Sequence, residues 1–280
     1  MQQLLIELAD GFVVGATLAL IALGLTLIFG VMHIVNLAHG EFYMAGAYFT
    51  WALDHLFHSF WLGVTAASVA TAVLGWSLLM GFYPKLAGAG PLRWALLTLG
   101  FAFVLREAAR LTFGSDFKLV ELPLKGNVFW LGGEYRLVVA GLSVALIVAV
   151  FIFLNKSRYG ILIRSVASNV EAAAVVGVSA TRVYGLVAFV GAGLAGIAGG
   201  LMLPITSAYP TMGIEILIMA FVVVVVGGMG NIRGALWTSL IAGEAQALLT
   251  IIMPPNVAFL LVLFTFMAVL VVRREGLTRE

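Results

Sequence analysis

The chain reads as an all-α, polytopic helical membrane protein with about 8–10 transmembrane helices and one short cytoplasmic helix. Two observations predict this. Of 280 residues, 62% are hydrophobic and only 10% charged, with mean hydropathy +1.12. Polar side chains are then too few to cover a soluble domain. The apolar runs are also about 20 residues long, which suits helices and not the ~10-residue alternating segments of a barrel. There is no cysteine, which excludes disulfides, thiol catalysis and cysteine-ligated metals. The first ten residues, Met1 to Asp10, lack a basic n-region and do not read as a cleaved signal peptide.

Apolar windows place spans at 8–30, 36–53, 61–83, 92–113, 136–154, 183–203, 212–229, 233–252 and 256–272. Each break has a local cause. Asp54, His55 and His58 end the second span, and Tyr83 to Pro91 is a turn-rich link with four residues that are Gly or Pro inside it. Residues 114–135 carry Asp116, Lys118, Glu121, Lys125 and Glu134 together with Pro123 and several glycines. Asn231 to Arg233 and Met253 to Asn256 make short connections. Around 212–252 a re-entrant pair is an alternative to two full spans. No loop is long enough for a second folded domain or a nucleotide-binding domain, and no internal repeat is evident. Residues 1–280 are therefore expected to form one transmembrane domain.

Nine spans put the termini on opposite sides. Lys85, Arg93, Lys156, Arg158, Arg164, Arg182, Arg233, Arg273, Arg274 and Arg279 fall on one side, while Glu7, Asp10, Asp54, Asp116, Glu121 and Glu134 fall on the other. The positive-inside rule then orients the N-terminus outside and the C-terminus in the cytoplasm.

The longest segment that cannot be buried in lipid is 155–182. Ser168-x-x-Glu171 reads as a capping box, and Gly177 stands where a helix takes a left-handed C′ residue. A helix of about two turns between them is marginal in water by itself. Val166, Val170, Ala173, Ala174 and Gly177 recur at helical spacing, so one face is small and apolar, while Arg164 and Arg182 flank it. That pattern predicts a cytoplasmic docking knob comprising Arg164, Ser168, Glu171, Ala172, Ala173 and Gly177.

Asn36, His39 and Glu41 form the most unusual intramembrane sequence. An acid at the bilayer centre costs about 2.5–3.5 kcal/mol on insertion scales, so it faces protein, water or a partner charge. Two readings stand. Glu41 sits in a first helical turn near the interface, where an anion suits the helix dipole, with His39 satisfying a backbone carbonyl. Alternatively, an unwound helix start lines a substrate path. Gly227, Gly228 and Glu244 are further candidates for that path. Gly227-Gly-Met-Gly230 lacks the ending of a phosphate loop and reads first as a helix break. Glu244 is read equally as a packing hydrogen-bonder, and Glu215 is placed near the outer interface.

Other motifs have plain structural readings. Gly191-Ala-Gly193-Leu-Ala-Gly196 matches G-x-G-x-x-G, but no strand precedes it. Small residues there, with Gly196 and Gly200 one turn apart, serve helix packing. Glu107 and Arg110 can pair along one helix, and Arg106 with them is expected to snorkel at the outer end of the fourth span. His33, His39, His55 and His58 show no zinc spacing. No catalytic cluster, metal site or nucleic-acid surface emerges.

Residues Gly24 to Phe42 and Val222 to Ala235 resemble the branched-chain amino acid permeases of bacterial ABC importers, and Glu171-Ala-Ala-x-x-x-Gly177 is similar to the cytoplasmic EAA loop of importer permeases. The resemblance covers nearly the whole chain. It departs in lacking an Ile-x-Leu-Pro ending near Val187 to Val190. The resemblance implies a membrane-spanning subunit in a bacterial inner membrane. It would pair with a second homologous permease subunit, two cytoplasmic ATPases and an external solute-binding protein. ATP and magnesium would belong to those ATPases, with no cofactor, catalytic residue or nucleic-acid partner here, and residues 168–177 would act as the lever. Few fixed charges in the spans argue against ion-coupled transport and suit Leu, Ile or Val as substrate. Urea, short amides or other amino acids, or a stand-alone secondary transporter or channel, are the alternatives.

Overall fold

A computed structural model describes residues 2–86, 88, 90–128 and 132–272. Its helices are α1 (Gln2–Met32), α2 (His39–Phe57), α3 (Phe60–Leu86), α4 (Pro91–Phe113), α5 (Glu134–Lys156), α6 (Arg158–Ser168), α7 (Val170–Val175), α8 (Ala180–Thr206), α9 (Met212–Gly227), α10 (Ile232–Thr250) and α11 (Pro255–Val272). All but α6 and α7 match the nine apolar windows in number and order. Four of them, over Leu4–Met32, Phe60–Leu86, Glu134–Lys156 and Ala180–Thr206, are long and apolar enough to cross a membrane unaided. The chain is a multi-pass helical membrane protein.

Differences from expectation are local. The second helix begins at His39 instead of residue 36, because the chain stays non-helical over 33–38. The region around 212–252 forms two separate helices. At 16 residues, α9 is about 24 Å long, less than the ~30 Å hydrocarbon thickness. Residues 155–182 hold two helices, α6 and α7, where one was expected. The loop after α4 contains a minimal antiparallel ladder, β1 (Asn127–Val128) with β2 (Gly132–Gly133).

Helices α1, α2 and α8 occupy the centre of the bundle, with α3, α9 and α10 against them. Glycine sets their spacing. A methyl group on Gly196 would stand 2.7 Å from the Thr71 side chain, and one on Gly200 would stand 2.5 Å from the Thr50 hydroxyl. Gly46 of α2 meets the backbone of Gly196 directly. The G-x-G-x-x-G stretch is thus a packing seam between α2, α3 and α8, as its membrane setting required. A second seam joins α1 to α10, where Gly15 faces the Leu240 backbone at 3.0 Å and Gly11 faces Glu244.

Thr98 and the rings of α2 fasten the outlying α4, with Tyr48 stacked on Phe113 at 4.7 Å between centroids. The chain direction alternates through the long helices. Lys85, Arg93, Lys156, Arg158, Arg164, Arg182 and Arg233 therefore gather at one end of the bundle. At the other end the loop after α4 bridges to the α8–α9 connection, with Lys118 and Ala208 exchanging backbone hydrogen bonds of 2.9 Å. Arg273, Arg274 and Arg279 lie outside the described residues.

Gly196→Leu should separate α8 from α2 and α3. Overpacking of a tight core costs about 1–3 kcal/mol or more. A lowered thermal midpoint in detergent, against an unchanged midpoint for the open-space Gly100→Leu, is the expected result.

Candidate functional site

The first candidate site forms where α2 begins. The chain leaves α1 through His33, in the left-handed region at φ 54°, and runs back into the bundle without helical hydrogen bonds. Backbone groups there need partners inside the protein. The Thr98 hydroxyl accepts the Leu37 N–H at 3.0 Å, and Asn36 Oδ1 accepts the Ala38 N–H at 3.1 Å. His39 Nε2 lies 3.1 Å from the Ile21 carbonyl. Because that oxygen only accepts, Nε2 carries the proton and Nδ1 faces inward as an acceptor.

Glu41 sits in the first turn of α2, 1% exposed, and is paired with Arg106 of α4. Sequence reasoning assigned Arg106 to snorkelling at the outer end of its helix. It turns inward instead, because an ionised Glu41 in the bundle needs a counter-charge. Arg110 does pair with Glu107, at 2.9 Å through Nε. Both readings of Glu41 thus hold in part: it occupies a first turn, His39 does satisfy a carbonyl, and the helix start is unwound. Its carboxylate lies beside Gly213 in the first turn of α9. Asn36 Nδ2, His39 Nδ1 and Glu41 Oε2 are buried with no hydrogen-bond partner among the described residues. Three such groups within six residues leave unused hydrogen-bonding capacity where α2 begins.

The other path candidates do not join this cluster. Gly227 and Gly228 form the turn from α9 to α10. Gly227 packs on the α10 backbone near Gly234, while Gly228 takes φ 96°. Glu244 faces Gly11 across the α1–α10 seam, and its Oε2 is buried without a partner.

The second candidate site is the 155–182 segment. Ser157 caps α6 by accepting the Gly160 N–H at 2.9 Å. The capping box expected at Ser168 and Glu171 does not form; the N-cap falls one residue later, with Ala172 in place of the reciprocal acid. Asn169 caps α7, its side chain accepting the Ala172 N–H at 2.9 Å, whereas Ser168 ends α6 and bonds back to the Ser165 carbonyl at 3.3 Å. Asparagine is as good an N-cap as serine, and the chain turns extended at Asn169. Gly177 takes the left-handed conformation at φ 84°, and the Val178 N–H reaches the Ala173 carbonyl at 3.0 Å, a Schellman ending.

The expected apolar face is split: Val170, Ala174 and Gly177 are exposed, but Val166 and Ala173 are not. Val166 and Ala173 are buried at 1% and 3% and seat the segment on its own helices. Outward lie Val175 and Val176, 88% and 76% exposed, with Glu171, Ala172 and Ala174 beside them. The break at Asn169 ends the helical phase that would have put Val166 and Ala174 on one stripe. Arg164 donates to the Leu154 carbonyl and so ties α6 to the end of α5. The signals missed in the sequence were Arg106 and Thr98, both more than sixty residues from their partners, and no local pattern reports such a contact.

A multi-helix bundle with an unwound, polar-lined helix start and an exposed knob at its basic end defines a membrane permease. The chain matches, over residues 7–272, the family described as "Branched-chain amino acid transport system / permease component", and it belongs to that family. It is 30% identical over 262 residues to the Escherichia coli K12 high-affinity branched-chain amino acid transport system permease protein LivH, covering 86% of this chain and 84% of that one. It is 29% identical over 259 residues to the Pseudomonas aeruginosa permease protein BraD of the same description, with the same coverages of 86% and 84%. A probable branched-chain amino acid transport permease of Methanocaldococcus jannaschii is 28% identical over 245 residues, covering 83% and 77%. No solved structure matches.

Removing one member of the Glu41–Arg106 pair strands a buried charge. Arg106→Gln should cost about 3–5 kcal/mol, Glu41→Gln should also destabilise, and the two together should recover much of the loss. Thermal unfolding of the four proteins in detergent measures the coupling.

Proposed function

We propose that this chain is the membrane-spanning half of an ATP-driven importer for Leu, Ile or Val. The observation that carries the reading is α7. A protein with no use for a partner at its basic end would not present Val175 and Val176 to water on so short a helix. Membership of the permease family supports the same assignment. The positive-inside pattern turns that end toward the cytoplasm of a bacterial inner membrane and leaves the N-terminus outside. Two cytoplasmic ATPases, holding ATP and magnesium, would dock there. A second homologous permease subunit would complete the conduit, and an external binding protein would deliver the substrate.

The coupling route follows the packing. Ala173 seats α7 against α6 and α8, and α8 meets α2 across the glycine seam. Closure of the ATPases would push α7, and α8 would carry the displacement to α2 and its polar start at Asn36, His39 and Glu41. Contact at the backbone leaves little slack, so α8 and α2 move together. Few fixed charges in the spans fit a small zwitterion with an apolar side chain.

Replacing Val175 and Val176 with Asp should lower co-purified ATPase about tenfold or more, while the amount inserted in the membrane stays constant. Uptake of labelled leucine into vesicles should vanish when the ATP site of the ATPases is disabled. Gradient-driven transport by this chain alone would overturn the importer reading.

A further inference from the structure

A cavity of about 240 Å³ lies among α1, α2, α8, α9, α10 and α11, near the end opposite the basic one. At ~30 Å³ per water it would hold about eight waters, which is room for one amino acid. Its lining mixes apolar side chains, among them Leu18, Ile216 and Met219, with the polar Glu215, Tyr209 and Gln246. Tyr209 donates to Glu215 Oε2 at 2.7 Å and so fixes the carboxylate. A carboxylate has about four acceptor positions, so capacity remains for another donor. Glu215 is the one charged residue in the lining; it has no lysine or arginine. Glu215 is exposed, so the cavity carries one negative charge open to solvent, where a ligand's ammonium group can meet it.

We propose that this cavity binds the free amino acid within the permease, Glu215 taking the α-ammonium, Gln246 the α-carboxylate, and the apolar side chains the branched side chain. The inference rests on the importer reading above and adds to it the place and the groups of recognition. It also separates two roles. The unwound start of α2 holds fully buried polar atoms, whereas this cavity offers apolar and polar side chains together. Met219 and Met212 suit a site that accepts several aliphatic shapes, because unbranched thioethers adapt.

The chain has no cysteine, so Met219→Cys supplies a single reporter thiol, with Ile216→Cys as a second should the first fail to insert. The assay is the rate of modification by a small methanethiosulfonate in proteoliposomes containing the complete importer. Leucine and 3-methylbutylamine should each slow modification about fivefold or more, and 4-methylpentanoate, which lacks the ammonium, should not. Adding Glu215→Gln should remove the protection by the amine. Glu215→Gln alone should raise the half-saturating leucine concentration for uptake about tenfold. Normal leucine uptake by the unmodified complex with no protection at either thiol would overturn the cavity and leave the importer standing. Absence of leucine uptake by the unmodified complex would overturn both.

Discussion

A peptide group surrounded by hydrocarbon needs its hydrogen-bond partner within the protein, and the structure is arranged around the one place where a helix does not provide it. The stretch from His33 to Ala38 runs through the bundle unwound. Thr98 of α4 and the Asn36 side chain accept from its Leu37 and Ala38 N–H groups, and the His39 ring just after it bonds the Ile21 carbonyl of α1. The same stretch delivers Glu41 to a buried position, and that in turn draws Arg106 inward. α4 has little buried surface of its own, so these polar contacts and the Phe113 stack hold it in register. Polar residues scattered along two helices thus become one structural unit.

Rigid seams and open polar groups have complementary roles in such a molecule. Where α2, α3 and α8 touch, glycine and threonine bring backbones together and leave no room for relative motion. Where α2 begins, three buried polar atoms lack partners. A transport pathway needs both: elements that transmit a push without deforming, and a lining whose unsatisfied groups a solute or water can serve. The α7 knob is joined to the first through α8 and lies far along the chain from the second.

Much of this was legible in the linear chain. Runs of about 20 apolar residues specify spanning helices because lipid leaves the backbone no alternative. The nine windows accordingly reappear, in order, as nine helices of 16 to 31 residues. Gly177 was readable as a helix stop because only a residue without Cβ enters the left-handed region freely, and the glycines of α8 were readable as packing residues because no strand preceded them. The sorting of basic residues to one end followed from the count of spans.

The rest depended on partners distant in sequence. The helical period predicted an outward Ala173, but burial against α6 and α8 won, and the outward apolar residues are Val175 and Val176. Two adjacent residues competed for the cap of α7, and the backbone geometry chose Asn169. Arg106 looked like an interfacial arginine until the fold placed Glu41 beside it. The sequence by itself determined which segments form apolar helices and which end is basic, since hydropathy and charge act locally against a uniform solvent. Only the tertiary structure decided which polar groups meet, because desolvated charges are satisfied by whatever neighbour the packing brings within reach, regardless of separation along the chain.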